Sequence, residues 1–185
     1  MNHVRITNDL LTSIGCDAKL FCMMTDDQIE QQRAMVLFDR AFRHQMQGEL
    51  QHAASLYQQS IETRPTAEAY TFLGWTYNMM GRLEEAIDMC RQAIAVDPAY
   101  GNPYNDIGVY LIEQEQWEEA ITWFEKAIAA PRYEARQFPY MNLGRVYEHL
   151  GRYRTALQCY DKALAIDPLY LPATWAKTAL LGKMN

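Results

Sequence analysis

One short pattern occurs three times in the chain at an almost constant spacing. Each copy has a tyrosine, then an aliphatic residue directly before a glycine, then a large side chain three positions later, over residues 70–77, 104–111 and 140–147. The glycines are 34 and 36 residues apart, and a weaker fourth copy centred on Ala41 lies 33 residues before the first of them. A period of this length predicts supersecondary units that bury their apolar faces by stacking on one another.

The second half of each copy has an alanine, then a cysteine or aromatic residue four positions later, then a proline. These residues are Ala53, Tyr57 and Pro65; Ala86, Cys90 and Pro98; Ala120, Phe124 and Pro131; and Ala156, Tyr160 and Pro168. Over about residues 34–168 the chain therefore resembles the tetratricopeptide repeat family, whose period is about 34 residues. The resemblance implies an all-α fold, a right-handed superhelix of four helix-turn-helix repeats at about 34–66, 67–100, 101–136 and 137–169.

The second copy shows how each repeat folds. Gly74 lies where a side chain would hold the partner helix away, and Gly81 allows the positive φ that ends a helix. The third copy differs, because Glu115 replaces the turn glycine and residues 131–136 form an insertion. We expect a longer loop there that is able to carry a specific contact.

Both ends of the repeat array have their own signals. Thr25 with Gln28 forms a capping box that predicts a helix start, so residues 1–24 are interpreted as a loosely ordered leader and 25–185 as the repeat domain. Residues 170–183 are predicted to form a capping helix. Its apolar stripe, which we expect to cover the end of the array, comprises Leu171, Trp175, Ala179 and Gly182.

Charge and composition limit the partners. A net charge of −6 without a large basic patch disfavours nucleic-acid binding. The chain has no run of about 20 apolar residues, so no membrane span is predicted. The four cysteines lack C-x-x-C spacing, and no secretory apolar segment precedes the repeats. We therefore expect a reducing, cytoplasmic location.

The sequence contains no recognisable catalytic motif. None of the four histidines forms an i, i+4 pair with an intervening glutamate, and phosphate-loop and nucleophile-elbow motifs are missing. Cys90 falls in a helix seam and is predicted to be an inert core thiol, whereas Cys159 is predicted to be partly exposed. The chain is therefore predicted to be no enzyme, with neither a cofactor nor a metal site.

The family resemblance implies a concave groove lined by the first helices of the repeats. Transferred residue by residue, the predicted groove comprises Phe38, Phe42, Gln45, Thr71, Trp75, Asn78, Asn105, Val109, Ile112, Met141, Asn142, Arg145 and His149. Aromatic, aliphatic and amide groups suit a peptide that contributes an apolar anchor and backbone hydrogen bonds. Alternatively, Phe38, Phe42 and Trp75 pack against the leader or a neighbouring helix. With Arg145 as the one cation, the groove does not resemble those that bind a carboxylate terminus.

These observations predict a non-enzymatic adaptor that binds a peptide segment of a partner protein. One alternative is a self-assembling scaffold, a homo-oligomer in which the leader or the capping helix docks on a second copy. Another is a pilus or secretion assembly factor. Residues 105–147 are similar to the pilotin-type repeat proteins of type IV pilus assembly, a group of exported lipoproteins.

Overall fold

The computed structural model describes residues 25–184, so the predicted leader, with Cys16 and Cys22, lies outside the described residues. The described part confirms the all-α class: its one extended pairing is an isolated bridge between Tyr100 and Arg132. None of its helices combines the length and apolar character needed to cross a membrane. The nine helices are α1 (Asp26–Met46), α2 (Leu50–Thr63), α3 (Ala67–Met79), α4 (Leu83–Val96), α5 (Asn102–Glu113), α6 (Trp117–Ala129), α7 (Gln137–His149), α8 (Tyr153–Ile166) and α9 (Leu171–Met184).

The helices pack as successive hairpins. Helices α1 and α2, α3 and α4, α5 and α6, and α7 and α8 form pairs, and the second helix of each pair contacts the first helix of the next. The odd-numbered helices α1 to α9 also contact one another in sequence. They therefore form one continuous wall, the pattern of a repeat protein in which each unit meets only its neighbours.

The helix ends have the predicted chemistry. At the start of α1, the Gln28 backbone N–H donates to Thr25 Oγ1 over 3.3 Å, and the Thr25 N–H donates to Gln28 Oε1 over 2.9 Å. Gly81 ends α3 with a φ of 75°. Glu115 adopts nearly the same left-handed conformation after α5, with a φ of 61°. A side chain there costs about 1 kcal/mol that glycine avoids, so the third hairpin keeps its turn under strain.

Each repeat glycine allows close contact with the second helix of its pair. A Cβ atom on Gly74 would lie 3.0 Å from the Ala86 carbonyl oxygen, as predicted from the spacing. On Gly108 it would lie 2.6 Å from the Phe124 ring, and on Gly144 it would overlap the ring of Tyr160. The glycines are therefore required by the packing of the helix pairs.

The insertion after α6 folds back onto the preceding repeats. The Gly101 N–H donates to the Arg132 carbonyl over 3.1 Å, and the Arg132 guanidinium lies 2.6 Å from both Glu68 and Asp97. Tyr133 is buried against Gly101, where a Cβ atom would overlap its side chain. The insertion is therefore tied to the starts of α3 and α5 of its own chain, and the specific contact expected of a longer loop stays a prediction.

The terminal helix α9 forms as predicted, but the prediction of its buried face was wrong. Ala173 and Leu180 are fully buried, whereas Leu171 is 56% exposed and Trp175 is 67% exposed. The helix is apolar on most of its circumference, so the pattern does not define one buried side. The small Ala173 side chain allows close approach to the preceding repeat, and the larger Trp175 is left outside.

Replacing Gly144 by alanine tests the glycine contact. We expect the Gly144→Ala chain to lose about 1–3 kcal/mol in free energy of unfolding, because the new methyl group overlaps the buried Tyr160 ring. Denaturant unfolding measures this change. Gly182→Ala is the matched control, since a Cβ atom there meets nothing within 4 Å. Equal stability of the two variants would contradict the packing argument.

Candidate functional site

The wall of odd-numbered helices contains a cavity of about 340 Å³. The cavity lies between α3 and α5 and is closed on one side by the insertion and the start of α7. It combines aromatic, amide and carboxylate side chains, and it is lined by Thr71, Phe72, Trp75, Asn78, Asn102, Asn105, Asp106, Val109, Tyr110, Tyr133, Ala135 and Phe138.

Aromatic side chains of α1 and α3 form the N-terminal side of this surface. The Phe72 ring centroid lies 5.1 Å from that of Phe38, 5.8 Å from Phe42 and 5.9 Å from Trp75, all in edge-to-face geometry. Phe38 also packs on Tyr57 and is partly buried, which agrees with the alternative of packing on neighbouring helices. Phe42 and Trp75 keep 37% and 39% of their surface exposed, so both can contact a ligand.

Polar side chains form a chain of hydrogen bonds across α7 and α5. The Asn142 amide N–H donates to Asn105 Oδ1 over 3.1 Å, and the Asn105 amide makes a long contact of 3.4 Å to Asp106 Oδ1. On the other side, the Asn78 amide donates to Glu113 over 2.9 Å. The amides therefore hold one another in place, and the chain through Asn142 ends on the Asp106 carboxyl group in the cavity.

Asp106 has the largest pKa shift among the carboxylic acids of the site. Burial raises its pKa to about 7, and the hydrogen bond from Asn105 lowers it only in part. No ion pair among residues 25–184 involves this carboxyl group. Burial also raises the pKa values of Tyr110 and Tyr133, and the negative charge of Asp106 adds to both shifts. The cavity therefore holds an acid with no counter-charge in the described part of the chain.

The predicted groove residues separate into those at the cavity and those elsewhere. Thr71, Trp75, Asn78, Asn105 and Val109 line it. Phe42 and Asn142 join it through Phe72 and Asn105. Gln45 is buried in the core, where it accepts a 2.8 Å hydrogen bond from the Tyr57 hydroxyl, so the structure places it below the groove surface.

The other predicted positions have different surroundings. Met141 packs on the buried cluster of Tyr160 and Leu180, and Ile112 packs on the main core. The His149 ring stacks on Trp117 with centroids 3.8 Å apart, and neither lines the cavity. Arg145 is exposed on α7 beyond the cavity lining.

Two central residues were missed by the sequence analysis, although the repeat pattern contained a signal for them. Phe72 and Asp106 each lie two positions before the repeat glycine, the position that Asn142 occupies in the last copy. Choosing this position in every repeat would have found both. The contributions of Tyr133, Ala135 and Phe138 come from the insertion and the start of α7, for which the repeat gives no template.

Elsewhere, one group of possible metal ligands comes together. His44, Glu49 and His52 place their ligand atoms within 4.8 Å of one another at the turn between α1 and α2, a set that could hold a divalent transition metal. The sequence pattern did not indicate this set, because the two histidines lie on different helices.

Cys90 is fully buried and burial raises its pKa, as expected for a core thiol. Cys159 is only 6% exposed, so the prediction of partial exposure was wrong.

Stacked helix hairpins with an open wall define a helical repeat protein of the type that presents an extended binding surface. The chain belongs to the tetratricopeptide repeat family. One family model described as tetratricopeptide repeat matches residues 67–100 and 139–170, and a second model with the same description matches residues 104–130. Helices α1 and α2 lie outside these matches, so a fourth repeat there stays a prediction.

Several known proteins are similar to the chain in sequence or in fold. Anaphase-promoting complex subunit 6 of Arabidopsis thaliana is 26% identical over 138 residues, which is 72% of this chain and 25% of that protein. The chain thus spans about a quarter of this relative's length. The solved structure of PilF from Pseudomonas aeruginosa has a TM-score of 0.78 and 21% identity, covering 84% of this chain and 70% of that one.

A second solved structure is PilW, described as a widely conserved type IV pilus biogenesis factor. It has a TM-score of 0.70 and 20% identity, covering 76% of this chain and 64% of that one. The predicted likeness to type IV pilus repeat proteins is therefore confirmed as a likeness of fold.

Replacing Asp106 by asparagine tests whether its buried carboxyl group destabilises the folded chain. The folded pKa of about 7 lies above the usual value of about 4, so the folded state holds the proton more tightly. Stability should therefore fall as pH rises through this interval. We expect Asp106→Asn to raise the free energy of unfolding by about 1–2 kcal/mol at pH 8, less than the full shift because the side chain is partly accessible to solvent.

The gain should be small at pH 4, where the wild-type carboxyl group is protonated in the folded state. Urea unfolding of both chains at the two pH values measures it. A variant that is less stable than the wild-type chain at pH 8 would contradict the assignment of a destabilising charge.

Proposed function

We propose that the chain is a non-enzymatic adaptor that binds a peptide segment of a partner protein along the wall of odd-numbered helices. The observation that carries this proposal is the cavity between α3 and α5, where exposed aromatic side chains lie beside polar groups. Trp75 is 39% exposed and Phe138 is 41% exposed on either side of Asn105. Aromatic anchors next to fixed hydrogen-bonding groups are typical of peptide-binding surfaces.

The rigidity of the wall supports the same proposal. Asn142, Asn105 and Asn78 each hydrogen-bond to a side chain on a neighbouring odd-numbered helix or receive such a bond. A partner peptide would therefore meet side chains that are already ordered, which reduces the entropy lost on binding.

The variant Trp75→Ala/Asn142→Ala tests the groove. We expect it to reduce affinity for the partner at least about tenfold, because a central tryptophan of an interface commonly contributes 2 kcal/mol or more. Pull-down from native lysate, followed by titration of the recovered partner, measures the change. Trp175→Ala is the matched control, since this tryptophan is exposed on α9 away from the cavity. Equal affinity of the double variant and the wild-type chain, with both folded by circular dichroism, would refute the groove.

Self-association is a second candidate function, favoured by the outer side of α9. Leu171 and Trp175 of this helix are 56% and 67% exposed, and Leu169 in the turn before it is 85% exposed, so apolar side chains lie open at the end of the repeat array. A second copy that covers them would make the chain a scaffold.

Measuring the molar mass by light scattering, over concentrations that span about a hundredfold, separates these two functions. For an adaptor we expect the molar mass to stay at the 21.5 kDa of one chain. A mass that rises with concentration, and that Leu171→Ser/Trp175→Ser returns to one chain, would support the scaffold instead.

The location and the pathway belong to the same proposal. We place the adaptor in a reducing compartment, the cytoplasm, because Cys90 and Cys159 are free and buried. The fold shared with PilF and PilW is common to the repeat family, so it favours pilus assembly no more than other adaptor roles.

A further inference from the structure

We infer that the peptide bound by the groove carries a lysine or arginine side chain, which enters the cavity between α3 and α5 and pairs with the Asp106 carboxylate. This inference rests on the proposed peptide-binding function and adds the chemistry of the occupant.

The position of Asp106 is the first argument. Asp106 lines the cavity, with Trp75 on α3 and Tyr133 of the insertion among the other lining residues. Its one hydrogen bond within residues 25–184 is the long contact from Asn105. A carboxylate can accept several hydrogen bonds, so this one retains unused acceptor capacity.

The distribution of nearby cations is the second argument. Arg132 belongs to the insertion that closes the cavity, but its guanidinium is already paired with Glu68 and Asp97. Arg136 donates instead to the carbonyl groups of Ile128 and Ala130. Arg132 is therefore neutralised by its own two acids and Arg136 is held on backbone carbonyl groups, so the counter-charge for Asp106 would come from a ligand.

The titratable neighbours of Asp106 support this reading. Cys90 on α4, Tyr110 on α5, and Tyr100 and Tyr133 in the connecting segments all interact with its charge. Burial raises the pKa of each, so each is neutral at neutral pH. The pKa of Asp106 itself is raised to about 7 by burial, and an entering cation would stabilise its charged form.

The walls of the cavity suit a long cationic side chain. The methylene stem of lysine or arginine can pack on apolar surface while the charged group reaches the carboxylate. Trp75 and Phe138 supply that surface, and an aromatic face also attracts a cation. An anionic side chain or a peptide carboxylate would meet repulsion from Asp106 here.

Selection of random dodecapeptides displayed on phage, with the full chain immobilised, tests the inference. We expect the enriched peptides to contain a lysine or arginine beside an aromatic or aliphatic residue. A synthetic copy of one enriched peptide, and a second copy with norleucine for lysine or citrulline for arginine, are then titrated by fluorescence anisotropy. The chains compared are wild type, Asp106→Asn and Trp75→Ala.

We expect the neutral peptide to bind the wild-type chain about tenfold to a hundredfold more weakly, the range for a lost charge-assisted contact. Asp106→Asn should lose as much affinity for the cationic peptide and show little further loss with the neutral one. Affinity of the wild-type chain for the cationic peptide should rise up to about tenfold between pH 6 and pH 8 as Asp106 ionises, and the variant should show no such rise.

The outcomes separate this inference from the function on which it rests. Peptides that lose binding with Trp75→Ala but not with Asp106→Asn would overturn the cationic occupant, while the proposal of a peptide-binding groove would stand. Failure to select any peptide that depends on Trp75 would overturn both. A gain in peptide affinity on replacing Arg5 and Lys19 of the full chain by glutamine would show that the chain's own residues fill the site, and would overturn the assignment to a partner.

Discussion

The structure depends on the close approach of the two helices in each hairpin. In the third and fourth hairpins an aromatic ring, Phe124 or Tyr160, lies against the glycine of the first helix, and both rings are fully buried. This contact sets the distance between the helices, and each hairpin in turn supports the next. The wall on which the cavity lies is therefore fixed by packing on its far side.

The geometry of one helix explains how that packing relates to the groove. With about 100° per residue, Thr71, Trp75 and Asn78 lie within an arc of about 60° beside the face of Gly74. Phe72 lies about another 60° further round, still on the open wall. A groove predicted from one i, i+4, i+7 stripe is therefore too narrow, and Asp106 was missed for this reason.

The fold could be predicted from the sequence wherever a local rule decides the outcome. The capping box at Thr25, the turn at Gly81 and the packing at Gly74 each follow from one side chain or from its absence. The buried side of α9 could not be predicted, because the helix is apolar on most of its circumference and tertiary packing selects the side. The place of Tyr133 depends on a fold-back of the insertion onto Gly101, a long-range contact that no repeat spacing encodes.

Asp106 connects the stability of the wall to its proposed role. An uncompensated buried carboxyl group lowers stability at neutral pH, and replacement by an apolar or amide side chain would remove that cost. The same position of the repeat holds Phe72 in one hairpin and Asn142 in another, so the helix geometry accepts either kind of side chain. A charge at this position is therefore not required by the fold. A positive group that enters from outside would offset the cost of the charge, which makes the cavity around Asp106 a better candidate for recognition than the aromatic surface alone.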